Sequence, residues 1–438
     1  MQSLQHRRRS LSTKLFALGE HPASRATATF QRDLAAEILW AERAQAVAPR
    51  EERSAYRDHI RLLRAHGDAL AWLLLHPHAI RQFRKGGIRG QALASQGDAV
   101  EAVLGIAEEI ATDGVIALVT DVTADLRLGD IIVVDDPEAP SIIECKNKLP
   151  PDGSLLLGRK GRQAARIQGT AEYLDKGIAD LHDEPMTRRV FESSRPQEPR
   201  WQDIREATDR ALNERRGHIR TLEPGVVMWV RYADEDPPAQ LAEALAGFRS
   251  LRIGAHVRFL EDDAPLMPPP LAWPVSEDAR WHLTEGDLCV VILLDVERFA
   301  DIATERGRRI VVHDDLPALE VQHERLGYVV SWRFVDDCVY NFLPIADQVD
   351  TILELVDQAF AEGVVPPGAL DVPAPRPAGT PQRVHRVQTE GDMLRLAERQ
   401  PGERDSVLIA GDLWAKLAPD QKPRVVYWQT GPAKEQDK

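Results

Sequence analysis

The chain has 438 residues, 43% of them hydrophobic and 28% charged, and a net charge of −14. That balance excludes a collagen, a disulfide-stapled miniprotein and a wholly disordered chain, and the length accommodates two or three domains of ~150 residues. Cys145, Cys289 and Cys338 are scattered and form no CxxC pair. Neither a structural zinc site nor a disulfide framework is expected, and a reducing, cytoplasmic setting is. The apolar runs 69–75 and 288–294 fall short of the ~20 residues that span a bilayer. Arg7-Arg8-Arg9 is followed only by the short apolar stretch 15–18, too little for a signal peptide.

Apolar residues at three- and four-residue spacing predict helices over 30–47 and 54–75. Pro77 ends the second, and the basic stretch 81–87 reads as a loop. A third amphipathic helix is predicted over 97–111, ended by Asp113-Gly114, and 115–122 reads as a strand rich in β-branched residues. A hairpin comes next, with strands 130–134 and 141–146 around the turn 135–140. Past the loop 149–158, a basic helix is predicted over 159–176, then a linker over 183–200, a helix over 201–216 and a buried strand over 225–232. The pattern stays mixed beyond the acidic break at 233–238, with strands at 288–294 and 328–334 and helices at 296–306 and 349–361. The run 364–381 is dense in Pro, Ala and Gly, a linker signal. The expected organisation is a helical region over 1–90, an α/β core over 91–235 with an insertion at 179–224, an α/β region over 236–363, and a Pro-rich linker with an appendage over 364–438.

The hairpin carries the chemistry. A period of two puts Glu144 and Lys146 on one face of their strand, and pairing about the turn brings Asp130 opposite Glu144 or Cys145. Two carboxylates and an ammonium thus converge beside Ile131 to Val134 and Ile142-Ile143. Neighbouring carboxylates repel unless a cation lies between them. Oxygen ligands select Mg²⁺ or Mn²⁺ over zinc, and the Cys145 carbonyl is placed to add a backbone ligand. A lysine beside such a cation stabilises the charge that develops on a phosphoryl group during phosphodiester hydrolysis. The competing reading is a surface hairpin with a Glu–Lys pair facing solvent. Adjacent Ile142 and Ile143 speak against it, since one of them shares the Glu144 face.

Asp130, thirteen intervening residues, then Glu144-Cys145-Lys146 resembles the PD-(D/E)xK nuclease superfamily, which includes restriction endonucleases and RecB-like nucleases. The resemblance implies a restriction-endonuclease-like α/β core, a mixed sheet flanked by helices. Its order is helix, three-stranded antiparallel unit, helix and a further strand, matched here by 97–111, 115–122, 130–146, 159–176 and 225–232. It also implies that Asp130 and Glu144 bind metal, that Lys146 is catalytic, and that Glu101 on the first helix completes the site, with Glu108 two turns on as the fallback. Gln168 and Tyr173 fall where RecB-like members carry a Gln and a Tyr, one residue further apart than usual. Gly129 stands where the family has its proline, and the insertion at 179–224 is long.

Residues 146–176 hold seven Lys and Arg against three acids, a local +4 in a −14 chain. Arg159, Lys160, Arg162 and Arg166, with Lys148 and Gln168, are the expected nucleic-acid contacts, where a helix N-terminus already favours phosphate. The function expected is a metal-dependent deoxyribonuclease, DNA favoured over RNA, acting as a homodimer or beside a partner in restriction or phage defence. The alternative is a catalytically silent nuclease-like fold that binds nucleic acid or a partner. Asp121 and Asp125 lie close enough in sequence to assist, and Trp201, Trp229 and Trp281 are expected mostly in the core.

Overall fold

The computed structural model describes residues 2–19, 22–85, 92–137, 140–143, 145, 167, 169–171, 173–174, 178–180, 187–189, 193, 197–256, 267–313, 318–323, 326–362 and 424–425. The protein is mixed α/β with mainly antiparallel sheets. It forms two compact units, Met1–Val190 with Pro268–Trp273, and Phe191–Met267 with Pro274–Lys438. No helix among the described residues is long and apolar enough to cross a membrane.

The first unit opens with α1 (Gln2–Leu18), α2 (Ser24–Val47), α3 (Arg53–Leu74) and α4 (Pro77–Lys85). Phe30, Leu34 and Ile38 of α2 and Leu62, Leu63 and Leu70 of α3 are buried, as their spacing predicts. Pro77 does end α3, yet it also starts α4, because a proline at the first helical position gives up an N–H that had no partner there. The stretch expected as a loop is therefore helical as far as Lys85, and Phe83 is fully buried. α5 (Asp98–Thr112) precedes a sheet of β1 (Ile116–Val119), β2 (Ile131–Val134) and β3 (Ser141–Ile143), in that order and antiparallel throughout.

The outer edge of β1 is closed by a side chain. Gln31 of α2 donates through Nε2 to the Ala117 carbonyl and accepts the Val119 N–H at Oε1, both at 2.7 Å. Its amide stands in for a neighbouring strand's peptide group, and the edge is hidden from other chains. Residues 167, 169–171 and 173–174 are helical, within the predicted basic helix. β4 (Ile178–Asp180) and β5 (Thr187–Arg189) pair as a separate small hairpin.

The second unit holds β6 (His218–Glu223), β7 (Val226–Tyr232), β8 (Ser250–His256), β9 (Leu288–Asp295) and β13 (Arg424–Val425) in one sheet of order β13-β8-β9-β7-β6. All eight residues of β9 are buried. Trp229 and Val227 of β7 pack with Leu241, Leu251, Val291 and Leu293. A meander of β10 (Arg309–Val312), β11 (Ala318–His323) and β12 (Leu326–Ser331) follows.

Two expectations are corrected here. The strand near 225–232 does not close the hairpin's sheet; it lies between β6 and β9 in the second unit, so the boundary falls at 190 instead of 235. A short turn joins β6 to β7, with Gly225 at φ +87°. The other edge of β7 pairs along seven residues with β9, so both of its neighbours belong to the second unit. The strand expected over 328–334 stops at Ser331, and Arg333–Tyr340 is a helix that buries Val335, Cys338 and Val339. Trp229 and Trp281 are buried, and Trp201 stacks edge-on against Phe342 at 5.2 Å.

Candidate active site

The hairpin's register is the one its sequence predicts. Ile131 lies opposite Ile143, and just beyond the ladder Asp130 donates its N–H to the Ile143 carbonyl at 2.9 Å. The Cys145 N–H then donates to Asp130 Oδ2 at 2.6 Å, while the Asp130 carbonyl accepts the Thr120 N–H at 3.0 Å. Asp130 is thereby held on both sides, by β3's continuation and by the turn after β1, and is half-buried. Glu144, Lys146 and Lys148 lie outside the described residues, as do Arg159, Lys160, Arg162, Arg166 and Gln168.

The backbone at Gly129 excludes a proline. Its φ is +76°, and a Cβ there would sit 2.5 Å from Ile142 Cγ2. Proline is locked near φ −65° and cannot adopt this conformation. Thr120 secures the same corner by donating Oγ1 to the Gly129 carbonyl at 2.7 Å.

Glu101 and Glu108 share one partner. Arg32 of α2 donates to Glu101 at 2.9 Å and grips Glu108 through two nitrogens, one of them at 2.8 Å. The guanidinium hydrogen bond holds the Glu108 carboxyl below its ordinary range, and the two acids raise the arginine. Seven residues apart, the glutamates do share a helix face, as their spacing predicts. That face is tied to α2, with the Glu101 side chain 63% exposed.

A buried acid that the sequence reading did not single out supports the segment leading to Asp130. Asp68 of α3 accepts the N–H groups of Ala124 and Asp125 at Oδ1, at 2.8 and 2.9 Å. Arg64, one turn earlier, donates to the carbonyls of Asp121 and Thr123 at 2.9 and 3.1 Å. Gly67 lets the helix come this close, because a Cβ there would meet the Val122 oxygen at 2.3 Å. Burial, and then the nearby Asp125, push the Asp68 carboxyl up to about 8. Asp125 is also raised by burial, although Arg84 lies 3.4 Å away, and burial raises Asp121 too. The only sequence signal for this arrangement was a lone Asp within the apolar stretch 67–75.

Tyr173 is buried, with its ring 5.5 Å from that of His78. No group of three or more His, Cys, Asp or Glu side chains gathers into a metal-binding arrangement among the described residues. Asp130 and the Cys145 backbone lie side by side, and a carboxylate and a peptide carbonyl are both hard oxygen donors, the chemistry that suits Mg²⁺ or Mn²⁺. A scan against protein-family models, a search of curated proteins and a search of solved structures each find no match to this chain.

Proposed function

We propose that this protein is a metal-dependent nuclease that hydrolyses phosphodiester bonds in nucleic acid, with DNA as the favoured substrate. The observation that carries the reading is the pinning of Asp130 against Cys145 at the mouth of the β2–β3 hairpin. This brings a half-buried carboxylate next to the Glu144-Cys145-Lys146 run. Further support is the element order: α5, three antiparallel strands, and helical residues between 167 and 174. That succession agrees with the order expected for the first part of a restriction-endonuclease-like core.

Asp130, Glu144 and the Cys145 carbonyl are the residues that would hold a Mg²⁺ or Mn²⁺ ion. When bound, such an ion lowers the pKa of a coordinated water and draws charge from the scissile phosphate. The chain's own residues do the rest. The Cys145 N–H fixes the Asp130 carboxylate, and the Thr120 N–H fixes the Asp130 backbone through its carbonyl. The Lys146 ammonium neutralises charge developing on the phosphate. Arg159, Lys160, Arg162 and Arg166 hold the strand through its backbone, a salt-sensitive and sequence-independent grip. A homodimer would suit cutting of both strands, and restriction or phage defence is the biological setting we favour.

The test is cleavage of plasmid and linear DNA with Mg²⁺, Mn²⁺ or EDTA, beside the Lys146→Ala protein. Metal-dependent cutting that is lost in Lys146→Ala supports the reading, and undiminished cutting by that variant overturns the residue assignment. Absence of cutting with any metal favours the silent, binding-only fold.

A further inference from the structure

We infer that the solvent face of α1 and α3 is a docking surface for the sugar–phosphate backbone of duplex nucleic acid. Residues 1–91 hold sixteen Lys and Arg against eight Asp and Glu, a net +8 in a chain whose total is −14. Folding sharpens this imbalance by turning acids inward. Glu37 lies against Arg7 at 2.7 Å with its side chain 16% exposed. Glu42 is 8% exposed, between Arg64 and the Ala94 N–H. Asp68 is buried on backbone N–H groups.

Arg8 and Arg64 also turn inward, but a row of arginines on α3 stays exposed. The exposed positions of α3 are Arg53, Ser54, Arg57 and Arg61, so its outer stripe is three arginines at four-residue intervals with no acid among them. Glu51 and Glu52 precede the helix, where negative charge complements its dipole, and Asp58 is only half-exposed. α1, which packs beside α3, contains no Asp or Glu and exposes Arg9 and Lys14, the latter paired with Asp33 of α2 at 2.7 Å. A solvated helix face ordinarily mixes both signs of charge. Arg53 to Arg61 spans about 12 Å along the axis, against a duplex that carries one charge per about 1.7 Å.

The rest of the face selects the form of the polyanion. Single strands are gripped by aromatic side chains on which bases stack, and neither α1 nor α3 has a Phe, Tyr or Trp among its exposed residues. Anionic membranes take up helices that also present large apolar side chains. Among the described residues the exposed large hydrophobics are Val47 and Val329, on neither helix. Arginine, serine and threonine suit contact with phosphates of a preformed double helix. This names the form of the substrate for the reading above and rests on that reading for its biological sense, but its test needs neither metal nor turnover.

The probe is a fluorescent DNA duplex of about 30 base pairs, titrated in EDTA between about 50 and 200 mM salt. The chain carrying Arg53→Gln, Arg57→Gln and Arg61→Gln is compared with the wild type. A control carries Arg210→Gln, Arg215→Gln and Arg216→Gln, the same loss of charge on exposed positions of the second unit. Glutamine has nearly arginine's helix propensity, so circular dichroism is expected to show both variants folded. The α3 variant is expected to lose about a hundredfold in affinity near 100 mM salt, its log–log salt slope shallower by about 3, while the control binds as the wild type. Equal binding by the α3 variant, an equal loss in the control, or no duplex binding by the wild type would each overturn the inference. So would an α3-dependent attachment to phosphatidylserine vesicles in place of the duplex. Duplex binding that depends on α3, in a protein that cuts nothing, would leave this inference standing while the nuclease reading fell.

Discussion

The Cys145 N–H and the Asp130 carboxylate are joined by a 2.6 Å hydrogen bond that crosses from one hairpin strand's end to the other's beginning. It aligns the start of β2 with the chain leaving β3, and so sets where Asp130 stands relative to the residues on either side of position 145. An N–H donor to an ionised carboxylate forms one of the stronger hydrogen bonds in proteins. Here it fixes the side chain that the proposed chemistry uses first.

Replacing Asp130 with Ala removes a proposed metal ligand and leaves the Cys145 N–H without its acceptor. A bound cation contributes several kcal/mol to stabilising a phosphoryl transition state, so cleavage is expected to fall by about a hundredfold or more. Initial rates with Mg²⁺ at matched substrate concentrations check this, and a variant as active as the wild type would exclude Asp130 from the site.

Gly129→Ala places a Cβ where Ile142 Cγ2 already sits and forces a positive φ on a residue that resists it. The expected cost is about 1–3 kcal/mol, read as a lower urea midpoint at unchanged slope. Gly129→Pro is expected to be worse because the ring cannot reach this φ.

Gln31→Leu strips the edge of β1 of its covering amide. The Ala117 carbonyl and Val119 N–H then lose their partner in the interior, and about 2–4 kcal/mol of stability is expected to go with them. Gln31→Glu keeps an acceptor for Val119 and is expected to recover part of the loss, which the same urea titration measures.

Asp68 makes stability depend on pH. Its carboxyl is pushed up to about 8 in the folded chain, against about 3.9 when unfolded, so between these values the native state holds a proton that the unfolded state has released. Stability from this group is fully present below the lower value and is lost as pH rises toward the upper one. Asp68→Asn keeps the Oδ1 acceptor for Ala124 and Asp125 and cannot ionise. It should flatten the decline in urea midpoint between pH 5 and 8, and an unchanged decline would show that Asp68 is not its source.

His59 acts in the opposite sense at lower pH. It is buried and accepts from Arg8 at Nδ1, and burial followed by the Arg8 charge lowers it to about 3. The unfolded chain protonates near 6.5 and the native one does not, so stability falls as pH drops from there toward 3. His59→Gln, a neutral replacement, is expected to reduce this acid sensitivity in a thermal melt series, whatever its effect at neutral pH.

Much of the first unit was legible in the sequence. The apolar spacing of 30–47, 54–75 and 97–111 located α2, α3 and α5, because a helix that buries one face must repeat its apolar residues at its own period. The hairpin and the approach of Asp130 to Cys145 followed from turn length and strand period, which are also local properties. α4 was missed because Pro77 signals a helix end and a helix start with the same residue.

Tertiary structure decided the rest. Residues 226–232 were readable as a buried strand, but only their pairing with β6 and β9 assigned them to the second sheet. Glu101 and Glu108 were readable as one helix face, but their common partner Arg32 lies 69 and 76 residues away. Asp68 looked like an isolated acid until the fold brought it onto backbone groups 56 and 57 residues on. Periodicity and turn chemistry act among near neighbours and can be read along the chain. Sheet membership, long-range ion pairs and raised carboxyls depend on which distant segments fold against one another, and folding alone determines that.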